Sequence, residues 1–307
     1  MTDRGSGRGV YAGVDVGGTK TAAVVMNEEG EVLGRARRPT RPGDSGVVES
    51  VVAAIADARR LAGMTAPLRA AGVGVPGAVD PVRGFVGRAV NIGLDGFALA
   101  DAAAAALGVP VRVDNDVTLA AQGLAHRLGE TSLALINLGT GFGVGVVLDG
   151  AALRGHRGAA GEIGHLPFDP RGSRCGCGLV GCLELSASGG ALARAAGGRS
   201  VPRLFADAAA GEASSATAVE EFCAALALGL RIVVQAYDVD TVALGGGVFA
   251  SQAIFMPRVR AIIDDQAASS SFLRDLRITE RLRVVDDTSS SAAEGAANWV
   301  RESSTIT

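Results

Sequence analysis

One histidine and three cysteines are spaced along the middle of the chain as metal ligands often are. His165 is followed by Cys175, Cys177 and Cys182, and these are three of the four cysteines in the protein. An imidazole nitrogen with three thiolates closes a tetrahedral zinc site, and four protein ligands leave no position for a reacting water. In a reducing compartment, clustered thiols favour a metal over a disulfide. The spacing therefore predicts a structural zinc site.

Two carboxylates bracket the predicted zinc site in the sequence. Glu162 lies just before His165, and Glu184 lies just after Cys182. A metal that tied this loop down would hold both carboxylates and the imidazole in one place. We expect the three side chains to face a common ligand.

Composition limits the class of protein. A chain of 307 residues corresponds to about two domains of ordinary size. The formal net charge of −3 gives no reason to expect a nucleic acid or an anionic membrane as partner. No signal-peptide pattern opens the chain, and its apolar runs are too short to span a bilayer. We expect a soluble cytoplasmic protein.

Three glycine-rich turns follow predicted strands. The first has the sequence Asp15-Val-Gly-Gly-Thr-Lys20, the second Gly139-Thr140-Gly141 and the third Gly245-Gly246-Gly247. Such turns present backbone N–H groups to phosphate oxygens, but a chain with 44 glycines also forms such triplets by chance. The candidate phosphate contacts in the first turn are Gly17, Gly18, Thr19 and Lys20. Lys20, the only lysine in the chain, is equally compatible with an exposed strand position.

Asp114, Asn115 and Asp116 lie between a predicted strand and a predicted helix that runs to Leu128. The carboxyl ends of strands are where open α/β sheets place their ligands. The alternative is that Asp114 or Asp116 only caps the helix. Strands that alternate with helices predict a mixed α/β fold.

The order of these motifs resembles the ROK family (repressors, open reading frames and sugar kinases) of the actin/hexokinase/Hsp70 ATPase superfamily. Asp15-Val-Gly-Gly-Thr-Lys-Thr is similar to the first phosphate motif of the family. Leu138-Gly-Thr-Gly-Phe-Gly is similar to the second, and Leu244-Gly-Gly-Gly-Val to the adenosine motif. Gly161-Glu-Ile-Gly-His, with the cysteine loop that ends at Leu183-Glu184, is similar to the signature of the family itself.

The resemblance implies an α/β fold of two ribonuclease-H-like (actin-like ATPase) domains flanking a cleft, with a zinc-bound loop insert. We predict an N-terminal domain over residues 1–118, completed by a C-terminal helix at about 291–307. The larger C-terminal domain would cover residues 119–290 and contain the zinc loop 161–184. The resemblance also implies a homodimer or homotetramer.

The resemblance further implies an ATP-dependent sugar kinase with Asp116 as the general base. Asn115 and Asn91 would contact the sugar, and Glu162, His165 and Glu184 would hydrogen-bond its far side. Asp15 would act through Mg²⁺ and its waters, since this hard cation keeps part of its hydration. ATP, Mg²⁺ and a structural Zn²⁺ are thus the expected cofactors.

Several departures from the family pattern leave the substrate open. Val117 and Thr118 replace the usual Ala-Asn, and Val144 interrupts the second phosphate motif. The segment from Val90 to Phe97 lacks the tryptophan that usually follows its asparagine. Glucose is the first expectation. The alternatives are N-acetylmannosamine, N-acetylglucosamine, fructose or a sugar-like cyclitol, and the phosphoryl donor is ATP or polyphosphate. A sugar-responsive repressor would need a helix-turn-helix, and the fourteen residues before Asp15 have no helical pattern.

Overall fold

The computed structural model describes residues 9–285 and 290–304. The strands are β1 (Val10–Val16), β2 (Lys20–Met26), β3 (Val32–Pro39), β4 (Leu68–Val75), β5 (Ala78–Asp80), β6 (Phe85–Ala89), β7 (Leu94–Phe97), β8 (Val111–Asn115), β9 (Leu133–Leu138), β10 (Phe142–Leu148), β11 (Ala151–Ala152), β12 (Thr241–Gly245) and β13 (Leu282–Val284). The α-helices are α1 (Asp44–Leu61), α2 (Leu99–Leu107), α3 (Asp116–Leu128), α4 (Gly189–Ala196), α5 (Val201–Ala209), α6 (Ala213–Tyr237), α7 (Gln252–Ala268), α8 (Ser271–Asp275), α9 (Ile278–Arg281) and α10 (Ser291–Ser304). Helix α10 corresponds to the C-terminal helix predicted at about 291–307, of which residues 305–307 lie outside the described part.

The described residues form two compact units. The first contains residues 9–131, 149–160 and 290–304, and the second contains residues 132–148 and 161–285. The first unit extends beyond the predicted limit at residue 118 because α3 packs along α10. As a division into independently folding domains, the ranges 1–118 and 119–290 stay a prediction.

The first unit is built on a five-stranded mixed sheet with the order β3-β2-β1-β4-β8. Strands β1, β2 and β3 form an antiparallel meander, whereas β4 and β8 run parallel to β1. Side chains alternate between the faces of a strand. Ala23 and Val25 of β2 therefore pack in the core on the α1 side, while Val24 and Met26 pack against α10. The sheet is thus buried on both faces.

Glycines lie at the contacts between α10 and its neighbours, among them two in the neighbouring strands and one in α10 itself. A Cβ atom at Gly13 of β1 would collide with the carbonyl oxygen of Ala293, and one at Gly72 of β4 with that of Ala296. Between α3 and α10, a Cβ atom at Gly295 would collide with the carbonyl oxygen of Leu119. These contacts are backbone to backbone. They fix the distance of α10 from the sheet and of α3 from α10.

The second unit contains four strands side by side in the order β10-β9-β12-β13. β9 and β10 form an antiparallel hairpin, and β12 runs parallel to β9 on its other side. This arrangement repeats that of β2, β1 and β4 in the first unit. The two hairpins carry the first two predicted glycine turns. The observed α/β fold with two such sheets agrees with the fold class inferred from the sequence.

Among the described helices, none combines the length and the apolar character that crossing a lipid bilayer requires. This finding agrees with the short apolar runs of the sequence.

We predict that Gly295→Ala lowers the free energy of unfolding by about 2 kcal/mol, because the added methyl group meets the Leu119 backbone, which cannot move aside cheaply. Helix propensity alone gives the opposite sign, since alanine is favoured over glycine by about 1 kcal/mol inside a helix. Urea denaturation of the variant and the wild type measures the difference. A more stable variant would show that the close approach of α3 and α10 is not a constraint.

Candidate functional site

The first glycine turn, residues 17–19, joins β1 to β2, and Thr40 binds its backbone through two hydrogen bonds. The N–H of Gly17 donates to the carbonyl oxygen of Lys20 at 2.9 Å, which closes the hairpin. The Thr40 hydroxyl donates to the carbonyl oxygen of Gly17 at 2.7 Å, and the Thr40 N–H donates to that of Thr19 at 3.1 Å. Sequence reasoning missed Thr40, because it lies after β3 and has no motif of its own. Gly18, Thr19 and Lys20 are exposed, so this turn can receive an anion.

Asp15 lies near the end of β1, on the sheet face opposite to the one that packs on α1. Burial raises the pKa of Asp15 to about 7, the negative charge of Asp116 adds to the rise, and Arg37 opposes it. A carboxylate facing another carboxylate is costly to ionise unless a cation joins them. The pair Asp15 and Asp116 is therefore a place where a divalent cation would be favoured.

Asn115 and Asp116 form the junction between β8 and α3. Asn115 is the N-cap of α3, and its Oδ1 accepts the N–H groups of Val117 and Thr118 at 2.9 and 3.1 Å. The cap is thus Asn115, whereas the sequence had suggested Asp114 or Asp116 for this role. Asp116, the first residue of the helix, is partly exposed, and its Oδ1 accepts the N–H of Val117 at 2.9 Å.

Asp114 is a buried support for this junction. It is 2% exposed, its Oδ2 accepts the Nε–H of Arg154 at 2.6 Å, and its Oδ1 accepts the N–H of Asn115 at 2.8 Å. Arg154 follows β11 and is remote from Asp114 in sequence, so no local pattern announced this ion pair. Asp114 thus positions its neighbours and has no free oxygen for a ligand.

Asn91 lies in a 3-10 turn (Val90–Ile92) beside the first glycine turn. A Cβ atom added at Gly18 would lie 3.4 Å from the Cβ of Asn91, so the two residues are neighbours. The first unit therefore gathers Asp15, the glycine turn, Asn91, Asn115 and Asp116 around the carboxyl ends of β1 and β8.

The second glycine turn joins β9 to β10 and is anchored by the start of α4. The N–H of Gly189 donates to the carbonyl oxygen of Gly139 at 2.9 Å, and that of Gly190 donates to Thr140 at 3.0 Å. Gly139 and Thr140 are exposed. Their carbonyl groups are occupied by these bonds, so the exposed side of the turn can offer its N–H groups to a ligand.

The third glycine stretch follows β12, the strand next to β9. Gly245 pairs with Asn137, the second-last residue of β9, and Gly246 and Gly247 continue into a 3-10 turn (Gly247–Ser251) that leads to α7. The ends of two adjacent parallel strands thus bring residues 139–141 and 245–247 to one edge of the second sheet.

Glu184 connects the second glycine turn with the cysteine cluster. Its Oε2 accepts the N–H of Phe142 at 3.1 Å, while its Oε1 lies 3.9 Å from the Sγ of Cys175. Glu184 belongs to a 3-10 turn (Leu183–Leu185) that packs on a second 3-10 turn (Glu162–His165). Three predicted ligand-binding side chains, Glu162, His165 and Glu184, are therefore together in the second unit.

The four predicted metal ligands converge. One donor atom from each of His165, Cys175, Cys177 and Cys182 lies within 4.8 Å of all the others. The Sγ atoms of Cys177 and Cys182 are 3.5 Å apart, and the Nδ1 of His165 is 3.7 Å from the Sγ of Cys175. A zinc ion with Zn–S bonds of about 2.3 Å separates its sulfur ligands by about 3.8 Å. The donor set and its spacing therefore fit zinc.

Glu162 lies on the side of the His165 imidazole that faces away from the cysteines. The Nε2 of His165 is 3.9 Å from the Oε2 of Glu162, so Nδ1 faces the thiols and Nε2 faces away from them. Burial raises the pKa of Glu162, the positive charge of His165 opposes the rise and Glu184 adds to it. The preceding residue must be glycine, because Gly161 has a φ of +92° and packs against the carbonyl oxygen of Val144.

The pKa of Asp15 generates a prediction about stability. The unfolded Asp15 titrates near 4, so between pH 4 and 7 the folded state binds a proton that the unfolded state lacks. The contribution of Asp15 to stability therefore falls as the pH rises through this interval. In Asp15→Asn this loss is absent. We expect the free energy of unfolding of the variant, relative to that of the wild type, to increase by about 2 kcal/mol from pH 4.5 to pH 8. This is about half of the free energy that corresponds to the whole pKa shift, because the carboxylate is partly solvated.

Urea denaturation at both pH values, without added divalent cation, measures this increase. An equal difference at pH 4.5 and pH 8 would contradict the raised pKa.

Comparison with known proteins identifies relatives along the whole described chain. Residues 11–303 match the ROK family. The chain is 34% identical over 266 residues to a glucokinase of Halalkalibacterium halodurans, covering 78% of this chain and 80% of that protein. It is 33% identical over 243 residues to an N-acetylmannosamine kinase of Yersinia pseudotuberculosis, covering 76% and 82%.

A solved structure gives the same result. The fold matches a ROK family glucokinase from Streptomyces griseus in complex with glucose and AMPPNP, with a TM-score of 0.74 and 30% identity over 96% of this chain and 100% of that one. This chain belongs to the ROK family.

Proposed function

We propose that this protein transfers the terminal phosphoryl group of ATP to a hydroxyl of a hexose, with glucose as substrate and glucose 6-phosphate as product. The observation that carries the proposal is the placement of Asp116 at the N-terminus of α3, facing Asp15 beside an exposed glycine turn. A base, a candidate cation site and a phosphate-sized turn are what phosphoryl transfer requires of a protein. The glucokinase relatives support the choice of sugar.

In this proposal Asp116 accepts the proton of the attacking sugar hydroxyl. A positioned carboxylate contributes by general base catalysis, and the incipient alkoxide then attacks the phosphorus in line. Asn115 uses its Oδ1 as the helix cap, and its Nδ2 donates to the carbonyl oxygen of Gly77 at 3.3 Å. The second N–H of the same amide would donate to a neighbouring hydroxyl. Asn91 would contact the sugar from the adjacent turn.

Glu162, His165 and Glu184 would hydrogen-bond the remaining hydroxyl groups of the sugar. A neutral polyol is recognised best by a site that pairs each hydroxyl, since an analogue without one leaves a buried polar group unpaired. The Nε2 of His165 is free of the cysteine cluster and suits this role.

The glycine turns would hold the nucleotide. Gly17, Gly18, Thr19 and Lys20 would contact its phosphates together with Gly139, Thr140 and Gly141, while Gly245, Gly246 and Gly247 would lie at its adenosine. Mg²⁺ would neutralise the phosphate oxygens when bound. Asp15 would hold it through water, and the cation would keep Asp15 ionised at neutral pH despite its raised pKa.

Zinc would be bound by His165, Cys175, Cys177 and Cys182 and would hold the loop without reacting. The four donors leave no open coordination position. The loop needs such a link, because it contains isolated bridges and turns instead of extended strands. The cysteines of the loop are not joined in disulfides, so their thiols can bind a metal. Such a site is typical of a reducing compartment, and we propose the cytoplasm as the location of the protein.

N-acetylmannosamine is the second candidate substrate, supported by the relative that is named for this activity. Glu162, His165 and Glu184 are compatible with either sugar, because both present hydroxyl groups. Assembly as a homodimer or homotetramer remains a prediction from the family resemblance. A coupled assay of ADP release across hexoses, N-acetylhexosamines and cyclitols discriminates the substrates.

We predict that Asp116→Asn lowers kcat by about 10³-fold, because the amide cannot accept the proton. Binding of glucose and of AMPPNP should change little, since the amide keeps the size of the side chain. The matched control is Asp44→Asn, which removes the carboxylate at the first position of α1. A variant at position 116 with more than a tenth of the wild-type kcat would exclude Asp116 as the base.

We predict about one zinc ion per chain in the purified protein, lost in Cys177→Ser and retained in Cys223→Ala, the cysteine outside the cluster. Because zinc would hold Glu162, His165 and Glu184 in place, its loss should raise KM for the sugar more than it lowers kcat. Atomic emission and steady-state kinetics measure both effects. A zinc-free protein with unchanged KM would rule out the metal as the support of the sugar site.

A further inference from the structure

A cavity of about 430 Å³ lies in the first unit, and no motif of the family corresponds to it. It is lined by the β5–β6 turn, the start of α2, the start of β8, the segment after β11 and α10. The charged and aromatic residues of its lining are Arg83, Asp101, Arg112, Arg154 and Trp299. Three guanidinium groups and one carboxylate thus surround a single space.

The arginine charges in this cavity are only partly compensated. Arg154 is paired with the buried Asp114 at 2.6 Å. Arg112 donates to the neutral Ser303 hydroxyl at 2.5 Å, and burial together with the charge of Arg154 lowers its pKa. Asp101 is the one acidic residue in the lining that the structure describes. The space therefore carries an excess of positive charge.

Aromatic rings hold the guanidinium groups in place. The Arg112 and Arg154 guanidinium carbons lie 3.9 and 4.7 Å from the centroid of Trp299, and that of Arg83 lies 5.5 Å from the centroid of Phe85. Trp299 is 7% exposed and belongs to α10, so it is a rigid platform. Stacking fixes the planar fork of arginine, which reduces the entropy lost when it binds an oxyanion.

We propose that this cavity is a binding site for a small molecule that carries a phosphate group, with Arg112 and Arg83 donating to the phosphate oxygens. Guanidinium groups match phosphate geometry with two parallel N–H bonds. The cavity volume of about 430 Å³ is more than ten times the roughly 30 Å³ that one water molecule takes in the liquid, so a ligand larger than a free phosphate ion fits. A phosphate monoester of moderate size is therefore favoured over the free ion.

The site is separate from the groups that we assign to catalysis. None of its lining residues belongs to the glycine turns, to the cysteine cluster or to the Asn115–Asp116 junction. Arg154 nevertheless touches both regions, because it lines the cavity and bonds Asp114, whose other oxygen accepts the N–H of Asn115. The proposal concerns binding alone and does not depend on the proposed kinase activity.

Isothermal titration of the full-length protein with inorganic phosphate and with glycerol 3-phosphate, at constant ionic strength, tests the proposal. Glycerol is the phosphate-free control. We expect saturable binding of a phosphate compound and none of glycerol. Tighter binding of glycerol 3-phosphate than of inorganic phosphate supports the proposed monoester site. Equal binding of the two compounds contradicts the preference for a monoester and identifies a site for free phosphate.

Three variants assign the binding to this cavity. Arg112→Gln and Arg83→Gln should each weaken it about ten-fold or more, because each removes a charge-assisted bond. Asp101→Asn should strengthen it, since the competing carboxylate is gone. Arg60→Gln, on the exposed face of α1, should leave it unchanged, and thermal melting without ligand confirms that each variant is folded. Binding that persists unaltered in both arginine variants, or no saturable binding in the wild type, overturns the proposal.

Discussion

The backbone contact of α10 with β1, β4 and α3 is the constraint on which the first unit depends. Gly13, Gly72 and Gly295 allow main chains to touch where side chains would otherwise separate them. Glycine is costly in a helix or strand, so its presence at these contacts reflects close approach. The C-terminal helix thereby covers one face of a sheet that the N-terminal part of the chain forms. Asp15 lies on β1 and Asp116 on α3, two of the elements that this packing holds together.

In the second unit, different contacts hold the candidate site residues in place. The carboxylates of Glu162 and Glu184 lie in 3-10 turns, which have few internal hydrogen bonds and little rigidity of their own. Here the convergence of four candidate metal donors, and the bond from the Phe142 N–H to Glu184, replace helix packing as the support. A loop held at several such points can present its side chains as reproducibly as a regular element does.

Local patterns predicted most of the elements and the residues that are candidates for chemistry. Helix α3 ends at Leu128, as the sequence predicts, and α10 occupies the place of the predicted C-terminal helix. Short elements without strong periodicity, such as β5 to β7 and α8, were not predicted. A cap by Asp114 or Asp116 was one of two interpretations of the junction before α3. Asn115 provides the cap instead, because all three neighbouring residues are good caps and only the backbone geometry selects one.

The sequence by itself determined the donor set of the candidate metal site, the glycine turns, the Asn-Asp junction and the family of the chain. These features depend on residue type and spacing, which are local properties. Only the tertiary structure revealed the support of Thr40 under the first glycine turn, the Arg154–Asp114 pair and the arginine cavity around Trp299. Each of these joins residues far apart in the chain. Such pairs are selected by packing, and no local pattern encodes them.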